Sequence, residues 1–188
     1  LEQSVPGYAR DENYDLQYLK EKLNMKSFRI ALSFVLLLAA TAYAQDAQKA
    51  FDQLKTLNGT WQGKTANGHE TKVVFRSTAG GSALMSEILG EKEDMITMFH
   101  MDNDRLLMTH YCGAGNQPRM QASVSPDGKT ITFKFLDATN LATPKSGHMD
   151  HLVITIPDAD HHTEDWTFKQ DGKEMKEHFE LARAKAGM

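Results

Sequence analysis

The chain holds a single cysteine, and that scarcity is informative. One thiol excludes an intramolecular disulfide and any zinc site built on two thiolates. An excess of basic residues is also missing. Lys and Arg number 21 against 25 Asp and Glu, for a formal net charge of −4, so bulk electrostatics give no footprint for nucleic acid. The 13 glycines show no collagen-type repeat. No apolar run reaches the roughly 20 residues of a transmembrane helix. With 40% hydrophobic residues, the 188-residue chain is too apolar to stay disordered and reads as one ordinary globular domain.

The longest apolar run, Ile30-Ala-Leu-Ser-Phe-Val-Leu-Leu-Leu-Ala-Ala40, follows Met25, Lys26 and Arg29 and precedes Ala42-Tyr43-Ala44. A short basic region, an apolar stretch and a small-x-small cleavage site, in that order, form the pattern of a secretory signal peptide. The reading is a signal at 25–44, with residues 1–24 as a non-native upstream extension and Met25 as the true start. A genuine N-terminal extension, helical through Tyr14 to Leu23, is the alternative. No cysteine stands directly after the cleavage site, where Gln45 follows Ala44, so a lipoprotein anchor is excluded. The protein is expected to be secreted or periplasmic, with no membrane span after cleavage. The working domain is then 45–188. It holds all eight histidines and the cysteine, whose place in an oxidising compartment calls for explanation.

Within that domain, Phe51, Leu54 and Leu57 recur at near-helical spacing, and Asp46 can cap a helix over Asp46–Leu57 ended by Asn58-Gly59. From there the pattern is strands and turns. Strands are predicted at Thr60–Lys64, His69–Ser77, Ser82–Leu89, Asp94–Met101, Arg105–Cys112, Arg119–Val124, Thr130–Leu136, His148–Ile156, His161–Lys169 and Glu174–Ala184. Turn-forming residues separate them, among them Asn67-Gly68, Asp102-Asn103-Asp104, Pro126-Asp127-Gly128 and Asp171-Gly172. Short connections make sequence neighbours spatial neighbours, and closing the sheet removes its two edges. The expected fold is all-β, a ten-stranded antiparallel up-and-down barrel preceded by a short helix. A β-sandwich is the alternative, but it normally needs longer crossovers.

The segment Leu57-Asn-Gly-Thr-Trp61-Gln-Gly63 places Gly-x-Trp at the start of the first strand. It resembles the opening motif of the lipocalin and fatty-acid-binding (calycin) barrels. That resemblance implies a Trp61 that closes one end and packs on a basic residue of the last strand, here Arg183. The stretch from Met98 to Met120 resembles an uncharacterised family of exported bacterial proteins with lipocalin-like domains, which implies fold and export. The Gly-Thr-Trp-x-Gly opening is also similar to nitrobindin-type haem barrels. That likeness implies an axial histidine near the C-terminus, for which His178 is the positional match. Alternation opposes haem at this residue, because Met175, Phe179 and Leu181 mark the apolar face.

An up-and-down barrel sends its loops alternately to two ends. The helix lies at one end, the bottom, and the two longest loops, 113–118 and 137–147, at the other. Barrel mouths and long loops are favoured binding positions. His69, His110, His148 and His151 fall toward the top, beside Cys112, Asn116, Gln117 and Arg119. His100, His161 and His162 fall toward the bottom. With Ile96 opposite His110, His100 lies about 13 Å from it at roughly 3.3 Å per residue. With Thr155 opposite His162, His151 is as far. Zinc holds nitrogens at about 2.0–2.1 Å, so neither pair shares an ion, and His161 and His162 point to opposite faces. No metal site is expected.

No catalytic assignment is made. His110 and Cys112, two apart on one strand, share a face, which makes an enzyme with a thiol nucleophile and imidazole base the alternative function; a buried inert thiol is the plainer reading. Gly113-Ala-Gly-Asn116 lacks the Gly-Lys-Ser/Thr ending of a phosphate loop. Asp158, Asp160, Glu164 and Asp165 read as a solvated acidic surface. Met85, Met95, Met98, Met101, Met108 and Met120, with Phe75, Phe99, Phe133 and Phe135, are candidates to line an apolar cavity. The expected function is therefore binding of a small, largely apolar molecule. His110, Cys112, Asn116, Arg119 and His148 are the ligand contacts. No cofactor is expected, haem being the alternative, and oligomeric state is left open.

Overall fold

A helix and ten strands follow one another in the predicted order. The computed structural model describes residues 46–90 and 94–185. The predicted signal at 25–44 and the extension at 1–24 lie outside the described residues. Helix α1 covers 46–55. The strands are β1 (Gly59–Thr65), β2 (Glu70–Thr78), β3 (Ala83–Leu89), β4 (Met95–Asp102), β5 (Arg105–Tyr111), β6 (Gln117–Val124), β7 (Thr130–Thr139), β8 (His148–Thr155), β9 (His161–Gln170) and β10 (Lys173–Arg183). Each strand pairs antiparallel with its sequence neighbours, and β1 closes on β10. The molecule is a closed ten-stranded antiparallel barrel, and the sandwich alternative is set aside.

Period-two alternation places the core. Leu84, Ser86 and Ile88 of β3 are buried, as are Leu152 and Ile154 of β8, while their neighbours along each strand are more exposed. Phe75, Phe99, Met108, Met120, Phe133 and Leu152 fill the interior. Burying a side chain of this size contributes roughly 1.5–3 kcal/mol. Met85 and Met98 oppose each other in the β3–β4 pair on the outer face, so these two do not line the interior as expected.

Two hairpins differ in register from expectation by one residue. The turn after β4 has two residues, Asn103-Asp104, with Asn103 in the left-handed region (φ 56°), a turn type that Asn accepts. Thr97, not Ile96, therefore opposes His110. The loop after β8 is also longer than its sequence implied, and Thr155 opposes Thr163 instead of His162. β7 runs three residues past its predicted end. A bulge between Arg119 and Met120 shifts the ladder so that Asp137, Ala138 and Thr139 still pair with β6.

The bottom is sealed by α1 and two residues of the closing seam. Ala50, Phe51, Leu54 and Leu57 are buried and form the apolar face of the plug. Trp61 donates its indole N–H to the Leu57 carbonyl at 2.6 Å. The Arg183 guanidinium lies 4.3 Å over the indole centroid, in cation–π geometry, and Trp61 opposes Arg183 in the β1–β10 ladder. Arg183 donates to the carbonyls of Thr56, Asn58 and Ala159 at 2.9–3.1 Å, which ties the turn after α1 to the β8–β9 loop. The basic partner implied for Trp61 is in place.

Gly63 sets how close the seam can come. A methyl at this position would sit 1.7 Å from the Glu180 carbonyl oxygen of β10, a clash with backbone that no rotamer relieves. Gly63→Ala is expected to cost about 3 kcal/mol or more by forcing β1 off β10. A thermal melt checks it: an unchanged midpoint overturns the assignment.

Candidate functional site

Three inward residues of β9 carry polar groups into the core. His162 and Glu164 are almost fully buried, as is Trp166. Glu164 accepts from the Trp166 indole N–H at 2.9 Å, and its other oxygen lies 3.2 Å from His162 Nε2. The His162 ring packs edge-on against Trp61, centroids 4.3 Å apart, and also meets Phe75. Glu164 is thus interior, not solvated surface as expected. The slipped register explains this, since the β9 inward series runs 162, 164, 166.

Trp166 also meets His110 of β5, ring centroids 4.9 Å apart. His110 is fully buried, its Nδ1 2.9 Å from the Thr97 hydroxyl, the contact created by the observed register. Its other nitrogen, Nε2, is buried with no hydrogen-bond partner. Either tautomer leaves that atom unsatisfied, as a donor without an acceptor or as a bare lone pair. Buried polar atoms nearly always find partners. Burial lowers the His110 pKa from 6.5 to about 4, so the ring is neutral at physiological pH.

Other predicted residues occupy the top. Asn116 is buried and donates to the Gly147 carbonyl at 2.7 Å, tying the β5–β6 and β7–β8 loops together; its Oδ1 has no partner. His148 is buried, its Nδ1 2.7 Å from the Ser146 carbonyl and its ring 4.7 Å from that of Phe135. Cys112 lies past the end of β5. It heads a turn in which its N–H donates to Asn116 O and its carbonyl accepts from Gly115. It is half-buried, and the strand argument that placed it on the face of His110 does not hold. Arg119 lies outside, about half exposed, with Nε 2.6 Å from Asp137 Oδ1 and Nη2 on the other carboxylate oxygen. The structure brings His110 to the interior and joins Asn116 to the loop before His148. It leaves Arg119 on the outer wall.

The remaining histidines are on the surface or occupied. His161 pairs with Asp158, and His151 with Asp150 beside a bulge in β8. His178 faces outward, with Nδ1 2.6 Å from Asp165 Oδ1. An axial ligand must point into the barrel, so His178 does not fit haem. Among the described residues, no group of three or more His, Cys, Asp or Glu is arranged to hold a metal. Grooves of about 460 and 520 Å³ flank β1, one lined by Gln62, Lys64, His161 and Glu180, the other by Gln62, Lys72 and Leu89.

Sequence reasoning missed Thr65, Thr97, Glu164, Trp166 and Glu177. Strict alternation from His162 along β9 and from Leu181 back along β10 finds three of these, because it places Glu164, Trp166 and Glu177 inward.

No protein-family model and no curated protein matches the chain. Among solved structures, the crystal structure of Rv2717c from M. tuberculosis is similar, with 16% sequence identity and a TM-score of 0.49 over 72% of this chain and 98% of that one.

The His110 environment makes a pH prediction. Below pH 6.5 the unfolded chain takes up a proton at this imidazole, while the folded chain refuses it until about pH 4. Stability therefore falls as pH drops through that window, by up to about 3 kcal/mol. Urea melts from pH 7 to 4 are expected to show this slope in the native chain and a shallower one in His110→Leu. Equal slopes in the two would overturn it.

Proposed function

We propose that this chain is an exported, lipocalin-like binding protein that holds a small, largely apolar molecule in the upper half of its barrel. The observation that carries the reading is the buried, partnerless Nε2 of His110 in an interior otherwise built from Phe99, Met108, Phe133 and Leu152. An apolar enclosure with few convergent polar groups is the usual form of a small-molecule site. A ligand with one polar group supplies the bond His110 lacks. Asn116 and His148 stand at the mouth, and Cys112 heads the loop that carries Asn116. Arg119 has a structural part on the outer wall.

The lipocalin-like assignment is supported by Trp61 stacked under Arg183 at the bottom, directly after a short helix. Export is supported by the basic, apolar and small-residue order of 25–44. N-terminal sequencing of the exported protein is expected to begin at Gln45; any later or earlier start removes this part.

Native mass spectrometry of freshly exported protein is expected to show a bound small molecule that leaves on denaturation. His110→Leu should retain it at least several-fold less, and Arg119→Ala should retain it fully. A bare chain that also fails to bind the neutral apolar probe N-phenyl-1-naphthylamine overturns the reading.

A further inference from the structure

The same barrel site, taken as a ligand site, has a charge of one sign. Among the described residues, the buried titratable ones are Asp150, Glu164, His110, His148 and His162, with no Lys or Arg. Asp150 is balanced locally by His151 and by Lys169 at 3.7 Å, and Glu164 is engaged by Trp166 and His162. Glu177 has no such balance. It belongs to the inward series of β10, followed by the buried Phe179 and Leu181, and its Oε1 is shielded from solvent with no hydrogen-bond partner.

Glu177 and His110 are both neighbours of Trp166. Glu177 lies directly opposite Trp166 in the β9–β10 ladder, where side chains on one face stand about 4.5–5.5 Å apart at Cβ. Trp166 in turn reaches His110, 4.9 Å away between ring centroids. One residue pair further down, Thr65 of β1 opposes Phe179; its hydroxyl is likewise buried and partnerless. Glu177, Thr65 and His110 thus each carry a buried polar atom without a partner, and Glu177 and His110 both adjoin Trp166. An anionic group brought here would meet the Glu177 carboxylate, and among the described residues no Lys or Arg is buried to offset it. A protonated amine meets a carboxylate acceptor and an aromatic face, both of which favour it.

We infer that the barrel selects an apolar molecule ending in a protonated amine, whose ammonium group is held by Glu177 Oε1 beside Trp166, and that it discriminates against carboxylate-ended amphiphiles such as free fatty acids. This rests on the reading of the barrel interior as a ligand site.

The test uses three probes of equal chain length, dodecylamine, dodecanol and dodecanoate, each titrated calorimetrically below its micelle-forming or solubility limit into the exported protein at pH 7. Dodecylamine is expected to bind at least about tenfold more tightly than dodecanol, and dodecanoate most weakly. In the near-isosteric Glu177→Gln the amine should fall to the level of the alcohol, with alcohol affinity unchanged. Circular dichroism melts show whether the variant is folded; should it not fold, the ranking in the native protein decides alone. Binding of dodecanol with no preference for the amine overturns the charge inference and leaves the binding reading standing, as does a preference that survives Glu177→Gln. Failure of all three probes to bind overturns both.

Discussion

The structure depends on closing β1 against β10. Until that pair forms, the sheet has two free edges and an interior open to water. The closure rests on a small residue and a large pair. Gly63 lets the two backbones approach, and Trp61 with Arg183 locks the lower end of the seam. Arg183 does this in a way lysine does not match, because its planar fork stacks on the indole while its nitrogens reach separate carbonyls. Those carbonyls belong to the turn after α1 and to the β8–β9 loop. One side chain thus couples the plug, the seam and a loop at the bottom of the barrel.

Above that plug, polar groups run through an apolar core. Trp61 meets His162, which meets Glu164, which accepts from Trp166, which meets His110 and its Thr97 partner. Burying such groups is costly unless they bond to one another. In the lower half they do, apart from His162 Nδ1. In the upper half the bonds are incomplete, and His110, Thr65, Glu177 and Asn116 each keep a buried atom unserved. A fold that satisfies one end of its core and leaves acceptors open at the other directs attention to the open end.

Much of the architecture was legible along the chain because β structure repeats at period two and turns have residue requirements. Asn-Gly and Asp-Gly pairs and the Asp102-Asn103-Asp104 segment marked the breaks, and every predicted strand is found. Hairpin register was less legible. A turn centred on Asn103 and one spanning Asn103-Asp104 use the same residues, yet they differ by one position in what faces His110. That single position decides that Thr97, and not Ile96, bonds the imidazole. Likewise Glu164 stood in a run of acids that read as surface, although alternation from the buried His162 puts it on the inward face of β9.

The chain alone determined the element order, the antiparallel barrel and the meeting of Trp61 with a basic residue at the end of the last strand. Local alternation, turn chemistry and the elimination of sheet edges specify the first two, and the third is what the resemblance of Gly59-Thr60-Trp61 to the opening of the calycin barrels implies. Tertiary structure alone decided which polar side chains share the interior. It brought Glu177 beside Trp166 and Trp166 against His110, and it kept Arg119 on the outer wall with Asp137. The physical reason is that a side chain's face follows from its own strand, whereas its neighbours follow from register, bulges and closure. Those are set by pairings between residues far apart in sequence.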